Sequence, residues 1–115
     1  MNIEELRDYC LSLKGVTECL PFDEVTLVFK VADKMFLLTN LDGPLSINIK
    51  CNPEAAIQLR EQYPAVTPGY HMNKKHWNTV MLDNSIPYPT IKEWIHQSYL
   101  LVISTLPKIK QKDLI

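Results

Sequence analysis

The segment Pro68-Gly69-Tyr70-His71-Met72-Asn73-Lys74-Lys75-His76-Trp77-Asn78-Thr79-Val80 concentrates the side chains best suited to contact a ligand. A Pro-Gly turn signal opens it, and two histidines, two lysines, two asparagines and two large aromatics follow within a few residues. On a hairpin loop, Lys74 and Lys75 would project toward phosphate, while Asn73 and Asn78 would offer side-chain amides to phosphate or base edges. Tyr70 or Trp77 would supply a stacking face for a base. His71 and His76 complete the candidate contact set. Each residue also has a plainer role. Lys74 and Lys75 would be solvated at any loop tip, and Trp77 is more readily explained as a core anchor, because tryptophan is mostly buried on average.

Other chemistries fit less well. His71 and His76, with Asp83 as a third group, lie five apart on a loop and match no zinc spacing, so no metal site is expected. His96 falls on a helix and is expected to be half exposed beside the core. The chain contains no G-x-S-x-G elbow, P-loop, dinucleotide fingerprint or H-E-x-x-H, and its three glycines are too few for a phosphate-cradling loop. Cys10, Cys19 and Cys51 form neither a C-x-x-C pair nor a zinc ribbon and read as reduced thiols, with Cys10 on an apolar helical stripe. Pairing Cys19 or Cys51 with His71 or His76 has no support beyond residue identity. The expectation is a protein without catalytic residues, enzymatic activity or cofactors.

Net charge is −1, which argues against tight, nonspecific nucleic-acid binding, since that is driven by phosphate neutralisation. The charge is unevenly spread. Residues 1–64 carry six Lys/Arg against ten Asp/Glu, and residues 65–115 carry six against three, so an anionic partner would meet the second half. The mixture of 46% hydrophobic and 22% charged residues is ordinary for a globular protein, and 115 residues fit one domain spanning 1–115. No apolar run approaches the roughly 20 residues of a membrane-spanning helix, and no signal segment opens the chain, so a soluble, cytoplasmic protein with no membrane partner is expected.

The elements that would position the segment follow from periodicity. Asn2 with Glu5 makes a capping box, Ile3, Leu6, Cys10 and Leu13 form a helical stripe, and Gly15 stops it. After a turn-like Cys19-Leu20-Pro21-Phe22-Asp23, residues 25–31 alternate as a strand with Val25, Leu27, Phe29 and Val31 on one face, and Ala32-Asp33-Lys34 reverses the chain into residues 35–40 as its hairpin partner. Leu45, Ile47 and Ile49 alternate with Ser46, Asn48 and Lys50, which should face outward. Asn52-Pro53-Glu54 starts a short helix that ends at Pro64. Residues 66–70 and 77–82 read as strands joined by residues 71–76. Thr90-x-x-Glu93 reads as a second capping box, opening a helix with Ile91, Trp94, Ile95, Leu101, Val102 and Leu106 buried, and residues 108–112 as a frayed tail. The predicted architecture is two-layer α+β, an antiparallel five-stranded sheet with helices on one face, in the order α-β-β-β-α-β-β-α, with the other sheet face partly open.

The central segment, together with Cys19-Leu20-Pro21-Phe22 and the Asn52-Pro53 helix start, closely resembles the MmcQ/YjbR family of small bacterial proteins over nearly the whole chain. The resemblance implies a two-layer fold like that of type III secretion chaperones, distantly comparable with frataxin-like domains. It also implies DNA binding, a role that rests on fold comparison. The implied contact residues are Asn73, Lys74, Lys75, His76, Trp77 and Asn78. With net charge −1, DNA binding would be weak or directed to a short site. Two alternatives stand beside it: a protein-interaction module, including a homodimer through an open sheet face or edge strand, and a small anionic-ligand pocket around His71, His76 and Trp77.

Overall fold

The computed structural model describes residues 1–69 and 72–114. Helix α1 (Ile3–Ser12) starts as its capping box requires. The Asn2 side chain accepts from the Glu5 amide at 2.8 Å, and Glu5 accepts from the Asn2 amide at 3.1 Å. Leu6 and Cys10 are its fully buried residues, and Gly15 turns the chain with φ +77°. Strands β1 (Val16–Cys19), β2 (Thr26–Val31), β3 (Lys34–Asn40) and β4 (Ser46–Lys50) then form a meander. Helix α2 (Pro53–Gln62), strands β5 (Val66–Pro68) and β6 (Trp77–Met81), helix α3 (Tyr88–Ser104) and a short α4 (Lys108–Lys112) complete the order.

All strand pairs are antiparallel, in a six-stranded sheet of order β1-β2-β3-β4-β6-β5. The five-stranded expectation is therefore corrected by one strand. β1 fills the stretch between the Gly15 stop and the turn-like Cys19–Asp23, and its sequence Val-Thr-Glu-Cys holds a single aliphatic residue. Its helix-side positions are Val16 and Glu18, opposite Val31 and Phe29, and Glu18 is held by a bidentate ion pair with Arg7 of α1. A carboxylate where alternation leads one to expect a hydrophobe conceals the strand. The spatial order also departs from chain order: α2 carries the chain past the place that β6 later fills, leaving β5 at the edge.

Two further local expectations change. The Thr90/Glu93 capping box does not form. The helix begins two residues before Thr90, with Pro87 as its cap and no side-chain cap bond. Proline at the cap and again at position 89 already fixes φ for a helical start. Residues 108–112 are helical rather than frayed, and Leu114 beyond them packs on the core.

The hairpin between β2 and β3 is a two-residue turn with Ala32 at φ 50° and Asp33 at φ 65°, the mirror-image geometry that matches strand twist. Further along, the register shifts between Phe29 and Lys30, so that Phe36 bulges from the ladder. Its carbonyl accepts from the Ser98 hydroxyl at 2.6 Å, and the same hydroxyl accepts from the Lys50 amide at 2.8 Å. Ser98, fully buried, thereby pins α3 across β3 and β4. Tyr99 donates to the Lys14 carbonyl at 2.6 Å and Tyr9 to the Lys92 carbonyl at 3.2 Å, tying α1 to α3.

The main core lies between the sheet and the helices, built from Leu27, Phe29, Val31, Leu37, Ile47, Ile49 and Val80 against Leu6, Ile91, Ile95 and Val102. On the other face a small cluster of Val28, Leu38 and Trp77 is buried, with Met35, Cys19 and Met72 packed around it. Among the described residues, no helix is long and apolar enough to cross a membrane.

Candidate nucleic-acid interface

Gly69 and residues 72–77 are tied to one another and to the end of β4 by backbone hydrogen bonds. Gly69 donates to the Trp77 carbonyl at 2.9 Å, and a Cβ on Gly69 would sit 3.0 Å from the Trp77 Cβ, so glycine permits the close approach. Asn73 organises the tip. Its side chain accepts from the Lys75 amide at 2.9 Å, and its carbonyl accepts from the amides of His76 at 3.1 Å and Trp77 at 2.9 Å. The His76 carbonyl accepts from the Cys51 amide at 2.7 Å, anchoring the loop to the end of β4.

Arg60, in the last turn of α2, clamps this segment from behind. Its Nε donates to Asn78 Oδ1 at 2.6 Å, and its Nη2 donates to the Lys74 carbonyl and, at 3.5 Å, to the Trp77 carbonyl. Asn78 completes the bridge by donating from Nδ2 to the Ala56 carbonyl at 3.2 Å. The planar guanidinium satisfies several acceptors at once, a task suited to Arg and not to Lys.

These contacts sort the expected site residues. Asn73, Lys74 and Lys75 are exposed and His76 is half-buried. Asn78 is fully buried on the helix side, opposite Ile49, and is corrected from a ligand contact to a structural hydrogen-bonding residue. Trp77 is 8% exposed within the open-face cluster, so it anchors that cluster instead of offering a stacking platform. Tyr70 and His71 lie outside the described residues, and the expected pocket around His71, His76 and Trp77 therefore cannot be placed as a unit.

The registers identify the rest of this surface. Trp77 pairs with Lys50, Thr79 with Asn48, Leu38 with Asn48 and Val28, and Lys30 with Thr17 and Met35. Because alternate residues share a face, Thr17, Lys30, Asn48, Lys50 and Thr79 lie on the side away from the helices. Thr79 donates to Asn48 Oδ1 at 2.6 Å within it. With β3 between their strands, Lys30 and Lys50 are two strand spacings apart, roughly 10 Å. Among the described residues, Glu18 is the one Asp or Glu within a strand, and Arg7 holds it on the helix side. Around the apolar Val28, Leu38 and Trp77 cluster, the open face thus carries hydroxyls, amides and two ammonium groups and, among the described strand residues, no carboxylate, with Lys74 and Lys75 in the turn that leads into β6. Sequence alternation carried the signal for Lys30 and Lys50. Arg60 had none, since its partners, the Asn78 amide oxygen and the Lys74 and Trp77 carbonyls, lie 14 to 18 residues away in sequence.

The ionisable groups give little else. The Arg7 hydrogen bond and charge hold the Glu18 carboxyl below its usual range. Burial pushes the Cys10 thiol up to about 12 and Cys51 to about 11, so both stay protonated at neutral pH and are poor nucleophiles. Among the described residues no three His, Cys, Asp or Glu side chains gather to hold a metal.

The geometry defines a two-layer α+β domain with helices on one side and, on the other, a sheet face that sets lysines, amides and hydroxyls around a small apolar cluster. A family model described as YjbR matches residues 11–101. The uncharacterized protein YjbR of Escherichia coli strain K12 is 34% identical over 116 residues, covering 100% of this chain and 98% of the relative. The uncharacterized protein YbdF of Escherichia coli O157:H7 is 37% identical over 110 residues, covering 95% and 90%. The crystal structure of a Deinococcus radiodurans protein with a DUF419 domain superposes with a TM-score of 0.93 at 40% identity, covering 98% of this chain and 87% of that one. A Pseudomonas syringae structure gives 0.77 at 28% identity, covering 88% and 98%. The chain belongs to the YjbR family.

Proposed function

We propose that the protein is a DNA-binding domain without catalytic activity, which meets the phosphate backbone across the open face of its sheet, with the 73–76 turn as one rim. The observation that carries this is the charge segregation: Lys30 and Lys50 among Thr17, Asn48 and Thr79, and no strand carboxylate on that side among the described residues. Burial of Trp77 removes one stacking surface, which favours phosphate contacts over base readout. Such binding is weak and salt-dependent, in the nonspecific range of roughly 10⁻⁴ to 10⁻⁶ M at physiological salt. Fluorescence anisotropy with a short duplex, as a function of salt, tests it. Lys30→Gln plus Lys50→Gln should lower the slope of log K against log salt by about two, as should Lys74→Ala plus Lys75→Ala. Slopes unchanged by both pairs, or no binding at low salt, would refute the proposal.

A second proposal is favoured by the β1 edge. The loop that follows it exposes Leu20 at 48% and Phe22 at 64%, with Val25 at 37% beside them, an apolar border to an unpaired strand edge suited to a protein partner or a second copy. Light scattering decides for self-association: a dimer dispersed by Phe22→Ser supports it, and a monomer at high concentration excludes a homodimer.

A further inference from the structure

The helix layer contains a concave site that the sheet-face function does not use. Between α2 and α3, at the end of β4, lies a cavity of about 340 Å³. That is within the range of roughly 300–1,000 Å³ typical of small-ligand pockets. Its floor and walls are Cys51, Ala55, Leu59, Trp94 and Leu101. Trp94 is braced edge-on by Tyr63 at 5.1 Å between ring centroids.

The two helices run antiparallel along this cavity, because Tyr63 at the end of α2 meets Trp94 near the start of α3. Leu59 and Trp94 therefore mark one end, and Asn52 and Ser104 the other, with Gln97 between them on the α3 wall. The spacing from Trp94 to Ser104 corresponds to about 15 Å of helix. The cavity is thus apolar at one end and bears amide and hydroxyl groups at the other. Lys50 also lines the cavity, but its register opposite Trp77 turns its side chain to the open face of the sheet. No carboxylate lines the cavity among the described residues, and burial keeps the Cys51 thiol protonated, so the floor is uncharged at neutral pH.

We infer that this cavity is a binding site for a small amphipathic molecule, an unbranched or two-ring hydrocarbon body of roughly eight to ten carbons carrying one uncharged hydrogen-bonding head. The size follows from volume: a dry cavity of about 150 Å³ takes one benzene, and this one is roughly twice as large. The head follows from Asn52, Gln97 and Ser104, which can donate to and accept from an alcohol or amide but supply no charge to pair with an ion. A body lying against Leu59 and Trp94 removes apolar surface from water at both helices.

The test is a two-dimensional amide and indole NMR titration of the full chain with 1-octanol, repeated with octanoate and octylammonium. Saturable shifts at Leu59, the Trp94 indole and Leu101 are expected, with octanol bound at least fivefold more tightly than either ion. Ala55→Phe, which fills the cavity from α2, should weaken octanol at least tenfold while leaving the remaining spectrum in place. Should that variant not fold, Ala55→Leu supplies the same measurement. Shifts that fail to saturate, an ion bound as tightly as octanol, or undiminished octanol binding by the filled variant would each overturn the inference. Duplex titration leaves these signals unmoved if both proposals hold, so failure of one is distinguishable from failure of the other.

Discussion

Replacing Arg60 with methionine keeps most of the apolar stem and removes the donors that hold residues 74–78 against α2. Asn78 is fully exposed to the consequence, because its Oδ1 is buried and accepts from Arg60 at 2.6 Å. A hydrogen bond from a charged donor contributes about 1.5–3 kcal/mol, and leaving the buried acceptor unpaired costs about 1–3 kcal/mol. Arg60 is only half-buried and water can partly replace its bonds to the Lys74 and Trp77 carbonyls, so the expected loss is about 2–3 kcal/mol in total. For a domain of this size that corresponds to a fall in Tm of about 10 °C. Calorimetry and urea unfolding measure it, and faster hydrogen exchange at the Cys51 and Trp77 amides locates it. Arg60→Lys should recover less than half, since an ammonium cannot reproduce the fork. The surface substitution Lys75→Ala should stay within about 0.5 kcal/mol of the parent. An Arg60→Met protein equally close to the parent, with unchanged exchange at those two amides, would refute the clamp.

Three other outcomes are expected. Alkylation at pH 8 should modify the half-exposed Cys19 first, with buried Cys10 and Cys51 reacting only as the protein unfolds, as mass spectrometry of timed samples would show. Ala32→Asn should raise stability by about 1 kcal/mol in urea unfolding, because Asn tolerates the left-handed backbone that Ala32 adopts at φ 50°. The Glu18 carboxyl has a lowered folded-state pKa, so its stabilisation is present above its unfolded pKa of about 4.3 and is lost as pH falls through the lower folded value. Glu18→Gln should therefore flatten the acid side of the stability curve and leave its alkaline side unaltered.

Much of this fold is written in local pattern. The Asn2 and Asn52 caps and the alternation in β2 and β4 are satisfied within a few residues of sequence, and each forms where periodicity places it; on α3, Ile91, Trp94, Ile95 and Val102 are buried as the stripe predicts, whereas Leu101 is half-buried. β1 escaped because its inward carboxylate is neutralised by Arg7, eleven residues away, a pairing that periodicity cannot register. The site was legible at its rim, where Asn73, Lys74 and Lys75 are exposed, and illegible behind it. Trp77 and Asn78 are adjacent in sequence but face opposite sides of the sheet, and their placement depends on Val28 and Leu38 packing on Trp77 and on Arg60 reaching Asn78 from α2. Lys30 and Lys50 become neighbours of that rim only through strand order.

A chemical-shift map of the labelled protein with a short duplex at low salt tests the proposed sheet-face contact most directly. Perturbations at Thr17, Lys30, Asn48, Lys50 and Thr79, continuing into residues 73–76 and fading as salt rises, are the predicted result. Shifts confined to α1, α2 and α3, or a spectrum unmoved by excess duplex, would contradict it.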